Sequence, residues 1–115
     1  MTITRGRTSI FSSTLLFNGA AVAPGVSDDL RFAVKWNPTD DDSKLVFTCA
    51  IGDGVVFSGG TGQYTLTISA AKSSLLPAAR ERLVLSFELL YVKPPKVYTL
   101  DSGILYVEPS VLQNV

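Results

Sequence analysis

The sequence contains no histidine and only one cysteine among its 115 residues. Without histidine the chain lacks the commonest general base and the commonest metal ligand, so hydrolase and metalloenzyme functions lose most of their support. The single cysteine, Cys49, excludes an internal disulfide and a cysteine-based metal cluster. We therefore expect a protein that is not an enzyme and holds no cofactor.

The chain also has no excess charge, because ten basic residues balance ten acidic ones. Nucleic-acid binding needs concentrated lysine and arginine, so nucleic acid is not an expected partner. No apolar run approaches the roughly 18 residues of a membrane helix, and the N-terminus lacks the apolar segment of a signal peptide. We expect no membrane contact and synthesis in the cytoplasm. Zero net charge with 46% hydrophobic residues favours association with other chains.

What the chain does have is a series of short runs of β-branched and aromatic residues, separated by clusters of glycine, proline, aspartate and serine. This pattern predicts an all-β protein, an Ig-like antiparallel β-sandwich of about 7–9 short strands. One short helix is predicted near residues 70–76, between Ser69 and Pro77. The length fits a single domain over residues 1–115, with residues 1–7 and 109–115 as candidate extended arms.

The clearest strands form a hairpin over residues 28–49. Its first strand alternates strictly, which predicts a core face that ends at Trp36. Its second strand places Cys49 on the same side, as a buried free thiol. The loop between them holds Asp40, Asp41 and Asp42 and is expected to be solvated, because no ordered calcium-ligand spacing follows. The predicted core face of the first strand comprises Leu30, Phe32, Val34 and Trp36.

The segment from Arg82 to Val92 predicts a strand that is largely apolar on both faces. Such a strand is central in a sheet, or its outer face contacts a partner. After it, Val97–Leu100 and Gly103–Val107 are predicted to pair as a last hairpin around residues 101–103. We expect an interface on the outer face of the long strand and in the C-terminal tail. The candidate interface residues are Val84, Leu90, Val92, Val111 and Leu112.

Several short motifs, in order along the chain, resemble small phage virion proteins related to the N-terminal Ig-like domain of siphophage upper baseplate proteins. The N-terminal third and the apolar strand at residues 82–92 depart from that pattern. The motifs that carry the resemblance are ITRG (3–6), LRFAVKWNPTDDD (30–42), GDGVVF (52–57), QYTLTIS (63–69) and VYTLDSGILYVEP (97–109).

The resemblance implies a β-sandwich that serves as a non-enzymatic structural protein of a virion, as a tail or baseplate component or a capsid decoration protein. It implies other virion proteins as partners, homo-oligomers in the assembled particle, and no catalytic residues. The alternative is a module that binds carbohydrate or another host-surface ligand. Its candidate contacts are Tyr91, Tyr98, Tyr106 and the acidic loop at residues 40–42.

Overall fold

The computed structural model describes residues 1–58 and 60–109, which are built mostly of β-strands. Eight strands form one sheet in the order β1-β10-β9-β5-β6-β7-β8-β2, and β3 and β4 form a small hairpin. The two halves of the large sheet share one hydrophobic core. The predicted all-β sandwich with one short helix is confirmed. The elements are β1 Thr2–Thr4, β2 Ser9–Thr14, β3 Leu16–Phe17, β4 Ala20–Ala21, β5 Asp29–Lys35, a 3-10 turn Asp42–Lys44, β6 Leu45–Ile51, β7 Gly54–Ser58, β8 Gln63–Ile68, α1 Ala70–Ser73, β9 Leu83–Lys93 and β10 Lys96–Glu108.

Alternate residues of the central strands point into the core. In β5, Leu30, Phe32 and Val34 are at most 1% exposed, as the alternation predicts. The Phe32 ring stacks on Phe87 of β9 with 5.6 Å between ring centroids, so aromatic packing reinforces the backbone pairing of these two strands. The other half of the sheet contributes Val55, Tyr64, Leu66 and Ile68 to the same core.

Trp36 does not belong to this core, and the prediction that it anchors the interior is wrong. Its side chain is 42% exposed. The pairing between β5 and β6 becomes irregular after Val34, and β5 ends at Lys35. Alternation between faces holds only while the backbone stays in a regular strand, so it gives the wrong side for the first residue beyond it.

The C-terminal segment is one strand of 13 residues, so the hairpin predicted around residues 101–103 is also wrong. β10 pairs antiparallel with β9, and an irregularity between Thr99 and Asp101 accommodates one extra residue. At Gly103 a Cβ atom would lie 3.1 Å from Cε1 of Phe87, which explains why a residue without a side chain fits there. The residues that suggested a turn instead allow a bulge and a close ring contact within one strand.

The N-terminal residues belong to the protein's own sheet. β1 pairs parallel with Tyr106–Glu108 of β10, and Ile3 is 2% exposed. Residues 2–4 are therefore packed rather than extended away from the domain, whereas residues 110–115 lie outside the described residues. β6 also pairs parallel with β7. The sheet therefore contains parallel pairs, whereas the sequence predicts antiparallel strands throughout.

The short helix forms where the sequence predicts it. Ser69 caps its first turn, because the Ser69 hydroxyl accepts a hydrogen bond from the Lys72 backbone N–H at 3.1 Å. Among residues 1–58 and 60–109, no helix is long and apolar enough to cross a membrane.

Candidate interaction surface on strands β9 and β10

Strand β9 lies between β10 and β5, which agrees with its two apolar faces. Its inner face enters the core through Leu85 and Tyr91, each at most 2% exposed. On its outer face, Val84 is 55% exposed, and Leu90 and Val92 are half-buried. These three candidate interface residues therefore share one outward face.

The other two candidates, Val111 and Leu112, lie outside the described residues. The predicted role of the tail in an interface therefore stays a prediction.

Strand β10 adds further apolar residues to this face. The sequence alone did not identify them as interface residues. Val97 lies opposite Val92 and Tyr106 lies opposite Val84 in the β9–β10 register. Val97 is 60% exposed and Ile104 is 49% exposed. The alternation over residues 103–107 places Ile104 and Tyr106 on one face of a strand. Because a hairpin was predicted at residues 101–103, the sequence did not show that this strand lies beside β9.

This outer face of β9 and β10 holds two apolar patches with polar residues between them. In the register of the two strands, Ser102 lies opposite Glu88, and both separate the ends of the face. We call the patch near the start of β9 the first patch and the one near its end the second patch. The first patch comprises Val84, Ile104 and Tyr106. The second patch comprises Leu90, Val92 and Val97.

Charged pairs flank both patches. Beside the first patch, the Arg82 guanidinium lies 5.0 Å from the Tyr106 ring centroid, and its Nε is 2.6 Å from a Glu108 carboxylate oxygen. Beside the second patch, Arg31 pairs with Asp29 at 3.0 Å. Apolar centres with a polar rim are typical of protein–protein interfaces.

A shallow groove of about 300 Å³ lies between the patches. Pro38, in the loop after β5, forms one wall of this groove beside β9 and β10. The floor of the groove is formed by outward residues of β9 and β10, with Ser86 and Glu88 on β9 and Ser102 and Ile104 on β10. The lining residues are Pro38, Ser86, Phe87, Glu88, Ser102, Gly103 and Ile104.

The three tyrosines proposed as carbohydrate contacts do not form one surface. Tyr91 is 2% exposed, and its hydroxyl donates a hydrogen bond to Asp28 Oδ2 at 2.7 Å. Burial, followed by this contact with the carboxylate, raises the pKa of Tyr91 to about 12. Tyr98 packs edge-on against Phe17 with 4.8 Å between centroids. Of the three, Tyr106 is the one that contributes to the outer face of β9 and β10.

The acidic loop connects β5 to β6, and hydrogen bonds of Asp40 stabilise it. The Asp40 side chain accepts a hydrogen bond from the Asn37 backbone N–H at 3.1 Å, and the Asp40 carbonyl accepts one from Lys35 Nζ at 3.0 Å. Within the described part of the chain, no group of three histidine, cysteine, aspartate or glutamate residues is arranged to hold a metal ion.

Cys49 is fully buried, as predicted, and lies beside a lysine that has other partners. Lys72 Nζ is 3.6 Å from Cys49 Sγ, 2.6 Å from the Thr48 carbonyl oxygen and 2.8 Å from an Asp53 carboxylate oxygen. Burial raises the pKa of the Cys49 thiol more than the nearby Lys72 lowers it. The thiol is therefore neutral near pH 7, and the lysine ties the helix to β6 and to the turn before β7.

A scan against models of protein families finds no family that matches this chain, and a search of curated proteins finds no match.

Proposed function

We propose that this protein is a non-enzymatic structural component of a phage particle that binds a neighbouring virion protein through the outer face of β9 and β10. The single observation that carries the proposal is the exposure of apolar side chains on that face. Val84, Val97 and Ile104 are each between 49% and 60% exposed, although they lie on strands of the main sheet. Exposed apolar patches with a polar rim mark protein contact sites.

The virion part of the proposal is supported by the sequence resemblance to phage baseplate proteins. Strand β10 carries one of the motifs of that resemblance, VYTLDSGILYVEP, and it contributes half of the proposed contact face. The motif and the surface therefore coincide.

The size of the face predicts a weak contact for a single copy. Eleven residues of β9 extend about 36 Å, and two paired strands are about 10 Å wide, which gives roughly 350 Å². A standard stable interface buries about 800 Å² on each partner. Repeated copies in a particle compensate for weak individual contacts, because each further contact within an assembly is effectively intramolecular.

The test is incorporation of variants into particles of a phage whose own copy of the gene has been deleted. Leu90→Asp and Val84→Asp should each reduce incorporation at least tenfold, because a charged carboxylate on this face would have to lose its hydration in the contact. The matched control is Val56→Asp on β7, since Val56 is 62% exposed and lies on the other half of the sheet.

Full incorporation of both outer-face variants would contradict the proposed surface. Absence of the wild-type protein from purified particles would contradict the virion role itself. Specific binding of a glycan by the purified protein, tested on an array with and without calcium, would favour the alternative carbohydrate-binding function.

A further inference from the structure

Strand β2 is an outermost strand of the large sheet and has one free side. It pairs antiparallel with β8 from Ser9, opposite Ile68, to Thr14, opposite Gln63. Within residues 1–58 and 60–109, no strand pairs with its other side. Along a strand, successive peptide groups point alternately to the two sides, so part of the backbone N–H and C=O groups of β2 faces away from β8.

The opposite side of the sheet differs in ways that discourage pairing with another chain. There the outermost strand, β1, has only three residues. The part of β10 that extends beyond β1 contains the charged residues Lys96 and Asp101 and the irregularity at Leu100. Short outer strands, charges and bulges are the features by which natural sheets avoid edge-to-edge association.

Strand β2 has none of these features. Its sequence, SIFSST, contains no charged residue and no proline, and its register with β8 is unbroken over all six residues. Ile10 faces outward and is 66% exposed, whereas Phe11 is partly buried against the core. A regular, uncharged outer strand with an exposed apolar side chain is suited to pairing with a further strand.

We propose that β2 pairs with the β2 strand of a second copy of this protein, antiparallel and about a two-fold axis. Residues that lie opposite each other in an antiparallel pair share one face of the sheet. A pair centred on Phe11 meets this condition, because Ile10 then lies opposite Ser12 and Ser9 lies opposite Ser13 of the second copy. Only serine, isoleucine and phenylalanine meet across this centre, so no like charges oppose each other.

A second copy is the occupant that this strand suits best. An uncharged strand offers no countercharge to a basic or acidic segment, whereas a second β2 supplies the same uncharged, regular strand. The net charge of zero removes long-range repulsion between copies. A two-fold pair is closed, so this contact yields a dimer and no fibre. This pairing depends on β2 alone and is independent of the proposed function.

The test is sedimentation equilibrium of the purified protein from micromolar to millimolar concentration, together with hydrogen–deuterium exchange. The wild type should form a dimer in which the amides of β2 exchange more slowly at high than at low concentration. Ile10→Lys should weaken the dimer at least tenfold, since it introduces like charges beside the pair. Val56→Lys is the matched control, because Val56 is a β-branched residue of similar exposure on an inner strand, and it should leave the dimer unchanged.

A monomer at every concentration would overturn the proposal, and so would a dimer that Ile10→Lys leaves intact. A dimer lost in Leu90→Asp and retained in Ile10→Lys would also overturn it, while supporting the outer face of β9 and β10 as a self-association surface. Circular dichroism of each variant establishes that a lost dimer does not reflect unfolding. Particle incorporation is a separate measurement, so failure of the β2 pair and failure of the virion role are distinguishable.

Discussion

Strands β5 and β9 are neighbours in one sheet and share the core, but their outer faces are covered differently. On β5, Ala33 and Lys35 point outward and are only 7% and 9% exposed. On β9, the apolar Val84 points outward and is 55% exposed. A buried lysine and an exposed valine reverse the usual distribution. The loop after β5 explains part of it, since its Asp40 carbonyl accepts a hydrogen bond from Lys35.

The sequence of a strand therefore does not by itself determine whether its outer face is free. The loop after β5 covers part of the outer face of β5, since its Asp40 carbonyl accepts a hydrogen bond from Lys35. On β9 and β10, Val84, Val97 and Ile104 remain between 49% and 60% exposed. This difference is the reason for placing the proposed contact surface on β9 and β10.

The largest expected effect comes from the core that both strands share. Phe32→Ala should lower the free energy of unfolding by about 3–5 kcal/mol, because it removes a large buried ring and leaves a cavity next to Phe87. Urea denaturation followed by circular dichroism measures it. A loss below about 1 kcal/mol would mean that β5 and β9 are not packed through this ring.

The next largest effect tests the cover over β5. Lys35→Ala should lower the free energy of unfolding by about 1–3 kcal/mol, because it removes a buried aliphatic chain and leaves the Asp40 carbonyl without its donor. The same denaturation experiment applies, with Lys44→Ala in the exposed part of the loop as the control. Equal stability of the two variants would contradict a structural role for Lys35.

Tyr91→Phe tests the inner face of β9 by its pH dependence. Hydrogen bonds from the Gly25 backbone N–H and the Tyr91 hydroxyl lower the pKa of Asp28. A lowered pKa means that the ionised carboxylate contributes stability above about pH 4, and that this contribution is lost as the pH falls. The variant should therefore be less stable than the wild type near pH 7, with a smaller difference in acid.

At high pH the expected effect of Tyr91→Phe on stability has the opposite direction. The raised pKa of Tyr91, about 12, means that its neutral form contributes stability that is lost as the pH rises from about 10 towards that value. Tyr91→Phe should lose stability less steeply than the wild type over this range. Denaturation midpoints at several pH values measure both effects, and parallel pH profiles for the two proteins would contradict the Tyr91–Asp28 contact.

The smallest expected effect is that of Val84→Ala on the outer face of β9. Because Val84 is more than half exposed, the free energy of unfolding should change by less than about 0.5 kcal/mol. A loss above 1 kcal/mol would show that the outer face is covered within the monomer, which would remove the contrast with β5.

Much of the core could be predicted from alternation, because a two-residue period gives the same answer wherever the strand is regular. Leu30, Phe32 and Val34 follow it, as do the buried residues of β8. The errors occur where regularity ends. Trp36 lies just beyond β5, and Leu100 is the extra residue between Thr99 and Asp101 that keeps β10 continuous.

The proposed contact surface could be predicted only in part from the sequence, for the same reason. Val84 follows from the pattern of β9 alone, whereas Val97 and Ile104 join it only when β10 is one strand in a known register. The pairing of β1 with β10 joins residues about a hundred positions apart, and local sequence patterns carry no information on such contacts. Register and long-range pairing are therefore what the structure adds.

The proposed function places the contact with a neighbouring virion protein on the outer face of β9 and β10. The most direct measurement is the incorporation of Leu90→Asp relative to Val56→Asp in particles that depend on the supplied protein. At least tenfold lower incorporation of Leu90→Asp, with Val56→Asp equal to the wild type, is the predicted result. Equal incorporation of both variants would contradict the claim.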